Sequence, residues 1–369
     1  MSDVINKKEW EKYRERELAA ALPVLEQLGF RLEQEQPHLG GEKYLTRAVT
    51  TASGRKLVLL GRNKQNNKSV VIKITSDPHG IRELEHERKC RLALQKINFA
   101  YQIFFSPQEI LFVKKRGFAI SIQEFLESGK SFLERPIQEQ FFLALKAFKA
   151  QESSHATAYS HKRFVKKTFG EKNVKDYIQM FNLFKEEMKK IMPGRSELHA
   201  LFEKTEQFLA ANNEIIEQYC GFLTHTDFVP HNFRVIDGKI YLLDHSSIRF
   251  GNKYEGWARF LNFMALYNPV LEQALIEYVR NNRAEEEFLS LQLMRAYRLG
   301  ELIYYYAKTL PNISENLLAL NQIRIDFWGK LLRAILENKT LDKNTIEEYK
   351  KTRDSLRDEE EKQRQKILY

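Results

Sequence analysis

The side chains that could perform chemistry together are concentrated at residues 224–246. His225 and Asp227 open this stretch as H-x-D, and Asn232 follows five positions after the aspartate. Phosphoryl transfer needs a base for the attacking hydroxyl and oxygen ligands for the Mg²⁺ that spans the nucleotide phosphates. The pattern predicts Asp227 as the base and His225 as a residue that braces the catalytic loop. Asn232 and Asp244 are the predicted Mg²⁺ ligands.

Two short apolar runs, 233–236 and 239–243, would position the second ligand. Asp237-Gly238 between them is a strong hairpin signal, because both positions of such a turn tolerate positive φ. A hairpin here returns Asp244 toward the catalytic loop. The alternative is a chance occurrence of H-x-D-x-x-x-x-N in which the aspartates are only caps or Asx-turns.

The motif resembles the catalytic loop of the aminoglycoside phosphotransferase and choline kinase group, within the protein-kinase-like fold. Pro230 matches the H-G-D-x-x-P-x-N variant of that group, and Thr226 replaces its usual Gly. The resemblance implies an α+β, two-lobe fold, with a small antiparallel β-sheet N-lobe carrying one main helix and a large, mainly helical C-lobe. It also implies an ATP-dependent kinase that uses Mg²⁺, holds ATP between the lobes and phosphorylates a hydroxyl.

A strand predicted at 69–75 carries the candidate phosphate-binding lysine. Lys73 lies in an apolar run, where burial without a partner or a cleft would be costly. Alternation along the strand puts Val71 and Lys73 on one face. The run resembles the V-A-I-K strand of kinases, which implies that Lys73 binds the α- and β-phosphates and Val71 contacts adenine. A lysine on a solvated edge strand is the alternative.

A helix predicted at 78–97 should supply the acidic partner of Lys73. Glu87 shares a face with apolar residues of this helix, so it is the predicted partner, and Glu83 one turn earlier is the reserve. Both glutamates could instead be solvated and pair with basic residues on their own helix.

Two further parts of the nucleotide site are assigned by their order along the chain. The turn at 51–55 would cover the phosphates, and its small residues Ser53 and Gly54 would let backbone N–H groups approach an anion; a plain hairpin turn is the alternative. Residues 124–129 are similar to the lobe connection of the aminoglycoside phosphotransferase group. That similarity implies that the backbone of Glu124 and Leu126 meets the edge of adenine.

The remaining periodicity indicates a mainly helical chain. Strands are predicted at 43–50, 56–62, 109–113 and 118–123, and helices at 6–29, 136–150, 174–191, 197–219, 270–281, 284–310 and 313–337. The predicted organisation is an N-terminal helical extension at 1–35, a nucleotide-binding N-lobe at 36–123, a lobe connection at 124–129, a helical C-lobe with the catalytic loop at 130–340 and a charged C-terminal tail at 341–369. We expect the tail to be a solvated helix or partly disordered.

The chain has 369 residues, of which 43% are hydrophobic and 12% are aromatic. This composition is that of an ordinary globular protein. Two cysteines provide no disulfide framework, and neither a signal peptide nor a membrane span is evident, so a cytoplasmic location is expected. The formal charge of +10 favours anionic partners such as ATP, a membrane surface or nucleic acid. Without a nucleic-acid motif, no nucleic-acid partner is expected. The basic segment 161–175 could meet an anionic substrate, but a solvated helix end is favoured.

The favoured partner is a small-molecule hydroxyl acceptor of the aminoglycoside, choline-like, sugar or nucleoside class. The sequence leaves the acceptor and the oligomeric state open. The group usually continues with G-D-P-x-x-D after the metal ligand; here Gly251 is kept, the aspartates are missing, and Glu255 is the candidate replacement for the second. Three alternatives are an atypical protein kinase, disfavoured because no A-P-E follows Asp244; a pseudokinase binding module; and a basic helical scaffold for nucleic acid.

Overall fold

The computed structural model describes residues 7–34, 36, 55–96, 104–127, 129–152, 159–313 and 315–357. Within them the chain is an α+β protein, with a small antiparallel sheet near its N-terminus and mostly helices after it, which confirms the predicted class. The predicted strand at 43–50 and the loop residues Ser53 and Gly54 lie outside the described residues.

The helices and strands are numbered in chain order. They are α1 (Lys7–Gln27), β1 (Phe30–Leu32), β2 (Leu57–Asn63), β3 (Ser69–Thr75), α2 (Pro78–Lys96), β4 (Phe104–Phe105), β5 (Glu109–Lys115), β6 (Phe118–Glu124), α3 (Ile137–Glu152), α4 (Tyr159–Phe169), α5 (Val174–Ile191), α6 (Ser196–Ala211), α7 (Asn213–Gln218), β7 (Phe222–His225), β8 (Phe233–Ile236), β9 (Lys239–Leu242), β10 (Ile248–Gly251), α8 (Glu255–Tyr267), α9 (Pro269–Asn282), α10 (Glu285–Thr309), α11 (Glu315–Leu336) and α12 (Lys343–Ser355).

Contacts between Cα atoms divide the chain into two compact units. The first comprises Met1–Lys96, Phe105–Gly129 and Arg234–Ser246, and the second comprises Ile97–Phe104, Lys130–Phe233 and Ser247–Tyr369. The segment that carries Asp244 therefore belongs to the first unit, although it follows the catalytic loop in sequence.

The first unit contains a five-stranded antiparallel sheet in the order β1-β2-β3-β6-β5. Alternation in β3 buries Val70, Ile72 and Ile74 completely, and they pack with apolar residues of α1. Val71 and Lys73 are half-buried on the opposite face, as the period of two predicts. Helix α1 thus covers one face of the sheet and leaves the face with Lys73 for other contacts.

A tight turn connects β8 and β9 in the same unit. Asp237 and Gly238 both have positive φ, 49° and 69°, which confirms the predicted hairpin. The two strands continue into a small sheet in the order β4-β9-β8, where the ring of Phe105 lies 5.4 Å from that of Tyr241. The hairpin therefore fixes the backbone position of β9, which ends two residues before Asp244.

Helices dominate the second unit, with β7 and β10 paired antiparallel among them. The helix predicted at 197–219 is interrupted at Asn212, where the side-chain amide donates to Phe208 O at 2.8 Å. Helix α8 was not predicted, because nearly all of its residues are buried and its polar residues are few; Glu255, Arg259 and Asn262 at i, i+4 and i+7 were not recognised as one helical face. Among the described residues, no helix is long and apolar enough to cross a membrane.

Helix α12 lies in the segment expected to be solvated or disordered. Its Ile346, Tyr349 and Arg353 are buried, and the ring of Tyr349 stacks on Phe327 of α11 at 4.1 Å. One face of the described part of the charged tail is therefore packed on α11 within the second unit. The tail beyond residue 357 lies outside the described residues.

Candidate active site

Lys73 pairs with Glu87 in the first unit. The ammonium contacts Glu87 Oε1 and donates to Leu243 O at 3.3 Å. Only 13% of the Lys73 side chain and 4% of the Glu87 side chain are exposed. Of the glutamates that the sequence offers on this helix, Glu83, Glu85 and Glu87, it is Glu87 that pairs with Lys73, and the amine also contacts the carbonyl next to Asp244.

Glu83, the reserve partner, contacts a lysine that sequence analysis did not single out. Lys56, immediately before β2, donates to Glu83 Oε1 at 3.0 Å, and its Nζ lies 4.0 Å from Glu87 Oε2. The sequence does not point to Lys56, because its partners Glu83 and Glu87 are distant in sequence and come close only in the folded unit. Lys73, in contrast, is a single charged residue inside an apolar strand.

Asp244 is fixed by the residues that follow it. Ser246 donates its backbone N–H at 2.9 Å and its hydroxyl at 2.6 Å to Asp244 Oδ1. His245 between them is buried, and its Nε2 lies 2.8 Å from Ser106 Oγ. These contacts hold the carboxylate at the end of the hairpin in one orientation.

The segment predicted to meet adenine follows β6. Glu124 N–H donates to Gln108 O at 3.0 Å, and Phe125 N–H donates to Ser69 O at 3.3 Å. Because these donors are already used, Leu126 is the better of the two predicted residues for donating a backbone N–H to a base. Val71, the predicted adenine contact, lies on the same face of β3 as Lys73.

Asp227 and Asn232 are directly bonded in the second unit. Asn232 Nδ2 donates to Asp227 O and to Asp227 Oδ2, both at 2.8 Å. Since both amide hydrogens are used, the ligand atom that Asn232 can offer to a cation is its Oδ1. About 39% of the Asp227 side chain is exposed, so the carboxylate is accessible to a substrate.

Arg259 of α8 is the main electrostatic partner of Asp227. Its Nε donates to Asp227 Oδ1 at 2.7 Å. Burial opposes ionisation of the carboxyl, but Arg259, aided by the charges of Arg298 and His225, outweighs burial and lowers the pKa of Asp227. Asp227 is therefore ionised at neutral pH, as a proton acceptor must be. Sequence analysis missed Arg259 because it missed the helix that carries it.

Buried hydrogen bonds hold the end of β7, the strand that leads into the catalytic loop. Gln151 Oε1 accepts from Thr224 Oγ1 and from the His225 backbone N–H, each at 3.1 Å, and Thr224 Oγ1 accepts from Gly256 N–H at 2.9 Å. His225 is buried behind the loop. Thr226 donates its N–H and its hydroxyl to Ser247 O, both at 2.9 Å, which shows how a threonine is accommodated where the similar family has glycine.

Aromatic rings pack beneath the same loop. Phe228 stacks on Phe233 at 4.9 Å, and the ring of Phe148 lies between Phe228 at 6.0 Å and Trp257 at 3.7 Å. Such rings bury a large apolar area and restrict the loop to one path. The loop is thus held by polar contacts at its start and by apolar contacts underneath.

Gly256→Ala is expected to lower the free energy of unfolding by about 1–3 kcal/mol through overpacking. A Cβ at this position would collide with Gln151 Oε1 and lie 2.9 Å from Thr224 Oγ1 and 3.0 Å from His225 O. The helix-propensity gain of alanine, about 1 kcal/mol, does not offset this crowding, because Gln151 and Thr224 are held in place by their own hydrogen bonds. Thermal unfolding measures the effect, and Gly194→Ala, with nothing within 4 Å, is the control. Equal melting temperatures for the two variants would contradict this packing account.

Glu255 is fully buried in contacts with other side chains. Tyr177 donates to its Oε2 at 2.8 Å, and Lys172 and Arg298 contact its Oε1 at 3.2 and 3.4 Å. These contacts make Glu255 a structural anchor, and through Arg298 it is connected to the surroundings of Asp227; its place as the stand-in for the second aspartate stays a prediction. They also overturn the interpretation of 161–175 as simply a solvated helix end, because Lys172 lies against this buried carboxylate and Phe169 is buried.

The two predicted Mg²⁺ ligands, Asn232 and Asp244, belong to different units. Among the described residues, no group of three or more His, Cys, Asp or Glu side chains could hold a metal ion by itself. Mg²⁺ is usually bound by one or two protein oxygens together with substrate phosphates. Asn232 Oδ1 and the Asp244 carboxylate are hard oxygen donors of that kind.

No protein-family model and no curated protein sequence matches this chain. Solved structures do: a macrolide 2'-phosphotransferase of type I matches with a TM-score of 0.55 and 12% identity, over 87% of this chain and 98% of that one. The GDP and kanamycin complex of APH(2")-IIia matches with a TM-score of 0.53 and 13% identity, over 80% and 97%. A thermostable mutant of aminoglycoside phosphotransferase APH(4)-Ia, in ternary complex with ADP and hygromycin B, gives 0.50 and 14%, over 82% and 99%. The chain thus has the protein-kinase-like fold of these phosphotransferases, as predicted.

Proposed function

We propose that this protein is a kinase that transfers the γ-phosphate of ATP to a hydroxyl group of a small molecule. The observation that carries the proposal is the bonded pair of Asp227 and Asn232, in the spacing H-x-D-x-x-x-x-N, on a fold shared with small-molecule phosphotransferases. The pairing of Lys73 with Glu87 in the other unit supports it, because kinases need this ion pair for phosphate binding.

Each unit contributes a distinct part of the proposed chemistry. In the first, Lys73 would bind phosphate oxygens, Asp244 would serve as a Mg²⁺ ligand, and Val71, Glu124 and Leu126 would meet the adenine. The predicted loop residues Ser53 and Gly54 would cover the phosphates. Bound Mg²⁺ would neutralise charge that develops on the phosphates.

The second unit acts on the acceptor. Asp227 orients the acceptor hydroxyl and takes its proton while the acceptor oxygen bonds to the γ-phosphorus and the bond to the β-phosphate oxygen breaks. Asn232 offers its Oδ1 as the other Mg²⁺ ligand, and His225 braces the loop from its buried position. The products are the acceptor phosphate monoester and ADP.

The surroundings of Asp227 bear on the class of acceptor. Its negative charge is already compensated by Arg259, which donates to Asp227 Oδ1. A polycation would gain little from such a carboxylate. We therefore rank neutral sugar and nucleoside hydroxyls ahead of aminoglycosides and choline-like amines, even though kanamycin and hygromycin B are bound in proteins of this fold.

A phosphotransfer screen tests the proposed function. The full chain is incubated with Mg²⁺ and ATP, and in parallel with GTP, against a panel of sugars, nucleosides, choline-like amines and aminoglycosides. We expect nucleoside diphosphate and acceptor phosphate to form in equal amounts with at least one acceptor, as quantified by mass spectrometry. Diphosphate formation that does not depend on any acceptor would contradict the proposal.

A nucleotide-binding module without turnover is the second candidate. The observation in its favour is that Arg259 occupies one oxygen of the proposed base. Tight Mg²⁺-dependent nucleotide binding without any phosphorylated product in the screen would support this candidate over the kinase.

Arg259→Met is expected to shift the acid limb of the pH–rate profile to higher pH. With the guanidinium removed, burial is opposed more weakly, so the pKa of Asp227 rises and the base is protonated at a higher pH than in the wild type. The profile of kcat/KM against pH measures this shift. Arg259→Lys keeps the charge and is expected to shift the limb less. Superimposable profiles for the wild type and Arg259→Met would show that Asp227 is not the titrating base.

A further inference from the structure

We propose that Lys56 is a second phosphate-binding residue, which shares Glu87 with Lys73 and offers its own ammonium group to the nucleotide phosphates. The inference rests on the proposed function and deepens it, because it assigns to the nucleotide site a residue outside the kinase pattern. Its basis is the cluster of Lys56, Lys73, Glu83 and Glu87 in the first unit.

Each carboxylate oxygen of Glu87 faces a different lysine. Its Oε1 contacts Lys73 Nζ, and its Oε2 lies 4.0 Å from Lys56 Nζ. Lys56 in turn donates to Glu83 Oε1 at 3.0 Å. One carboxylate of α2 therefore holds two ammonium groups, and the glutamate one turn earlier fixes the second of them.

The backbone before Lys56 is pinned to the connection between β3 and α2. Arg55 N–H donates to Asp77 Oδ2 at 3.2 Å, the same oxygen that accepts from Gly80 N–H at 2.8 Å. Thr75 Oγ1 donates to Arg55 O. A Cβ on Gly80 would collide with Arg55 O, so the chain can approach this closely only because a glycine stands there. These contacts fix the backbone beside Lys56, so its side chain is directed toward α2.

The cluster is more highly charged than a structural ion pair requires. The side chains of Lys56, Lys73 and Glu87 are only 11%, 13% and 4% exposed. Removing charges from water is costly, and well-packed apolar residues usually replace buried ion pairs without loss of stability. Strongly charged, poorly solvated clusters are instead typical of sites that bind ions or perform chemistry.

Lys56 carries its charge when a ligand arrives. Burial disfavours the ammonium form, but the carboxylates of Glu87 and Glu83, with a smaller effect from Asp244, outweigh burial and raise the pKa of Lys56. An ammonium group is a compact phosphate ligand with three donors. Because Asp244 acts on Lys56, the amine lies in the electrostatic field of the proposed Mg²⁺ ligand.

Calorimetric titration with Mg²⁺-ATP and with adenosine tests the inference. Lys56→Met is expected to weaken ATP binding by about 10- to 100-fold, the range for one charged hydrogen bond, and to leave adenosine binding within about twofold of the wild type. Lys64→Met is the matched control, because Lys64 lies at the other end of β2, is 43% exposed and pairs with Glu26. The control is expected to bind both ligands as the wild type does.

Lys56→Arg keeps the positive charge and the contacts with α2, so it is expected to retain most of the ATP affinity. Equal losses of ATP and adenosine affinity in Lys56→Met would indicate a purely structural role and overturn the inference, as would unchanged ATP binding. If the wild type itself binds no Mg²⁺-nucleotide, the proposed function fails and the inference with it. Normal ATP binding by the wild type and by Lys56→Met removes only the inference.

Discussion

Asp227→Asn is expected to lower kcat by about 10²- to 10⁴-fold, the range for a positioned general base. The amide is nearly isosteric, but it cannot accept the proton of the acceptor hydroxyl. Since the lost interaction is made only in the transition state, the affinity for ATP is expected to stay within about threefold of the wild type. Initial rates with a responsive acceptor, together with ATP titration, measure the two quantities.

Asp237→Asn is the matched control for this change. Asp237 lies in the exposed β-turn of the same segment, with a φ of 49° that asparagine also tolerates. The control is expected to retain wild-type rates. A kcat for Asp227→Asn equal to that of the control would rule out Asp227 as the base.

Asp244→Asn is expected to lower kcat by about 10³-fold and to raise the Mg²⁺ concentration needed for half-maximal rate by at least about tenfold. The substitution removes the formal negative charge from a proposed metal ligand, and the stabilisation that a bound metal supplies to the transition state is several kcal/mol. Ser246 can still donate to the amide oxygen, so the local backbone is expected to be retained.

The readout for Asp244 is the rate as a function of Mg²⁺ concentration at saturating ATP. A rise in kcat toward the wild-type value at high Mg²⁺ is compatible with a weakened metal site. An unchanged Mg²⁺ requirement would mean that Asp244 is not a metal ligand, even if kcat falls.

Features that depend on neighbouring residues could be predicted from the sequence. The Asp237-Gly238 turn follows from the tolerance of both residues for positive φ, and the shared face of Val71 and Lys73 follows from the period of a strand. The orientation of Glu87 toward Lys73 followed from its place on the apolar face of a helix. In each of these three cases, the conformation that neighbouring residues favour is the one that the folded protein has.

Features that depend on tertiary packing could not be predicted. Helix α8 is almost completely buried, so only three polar residues, Glu255, Arg259 and Asn262, mark its period; the helix was not recognised, and Arg259 was missed with it. Lys56 was missed because its partners on α2 come close only in the folded unit. Glu255 was compared with a family pattern, whereas its three buried partners indicate a structural anchor.

The most direct test of the central claim is calorimetric titration of the full chain with ATP, in the presence of Mg²⁺ and again with excess EDTA. The proposed set of Lys73, Asn232 and Asp244 predicts one ATP bound per chain with Mg²⁺ and an affinity at least about tenfold lower without it, since the metal is held jointly by protein and phosphates. ATP binding of equal strength in both conditions, or none in either, would contradict a magnesium-nucleotide site built from these residues.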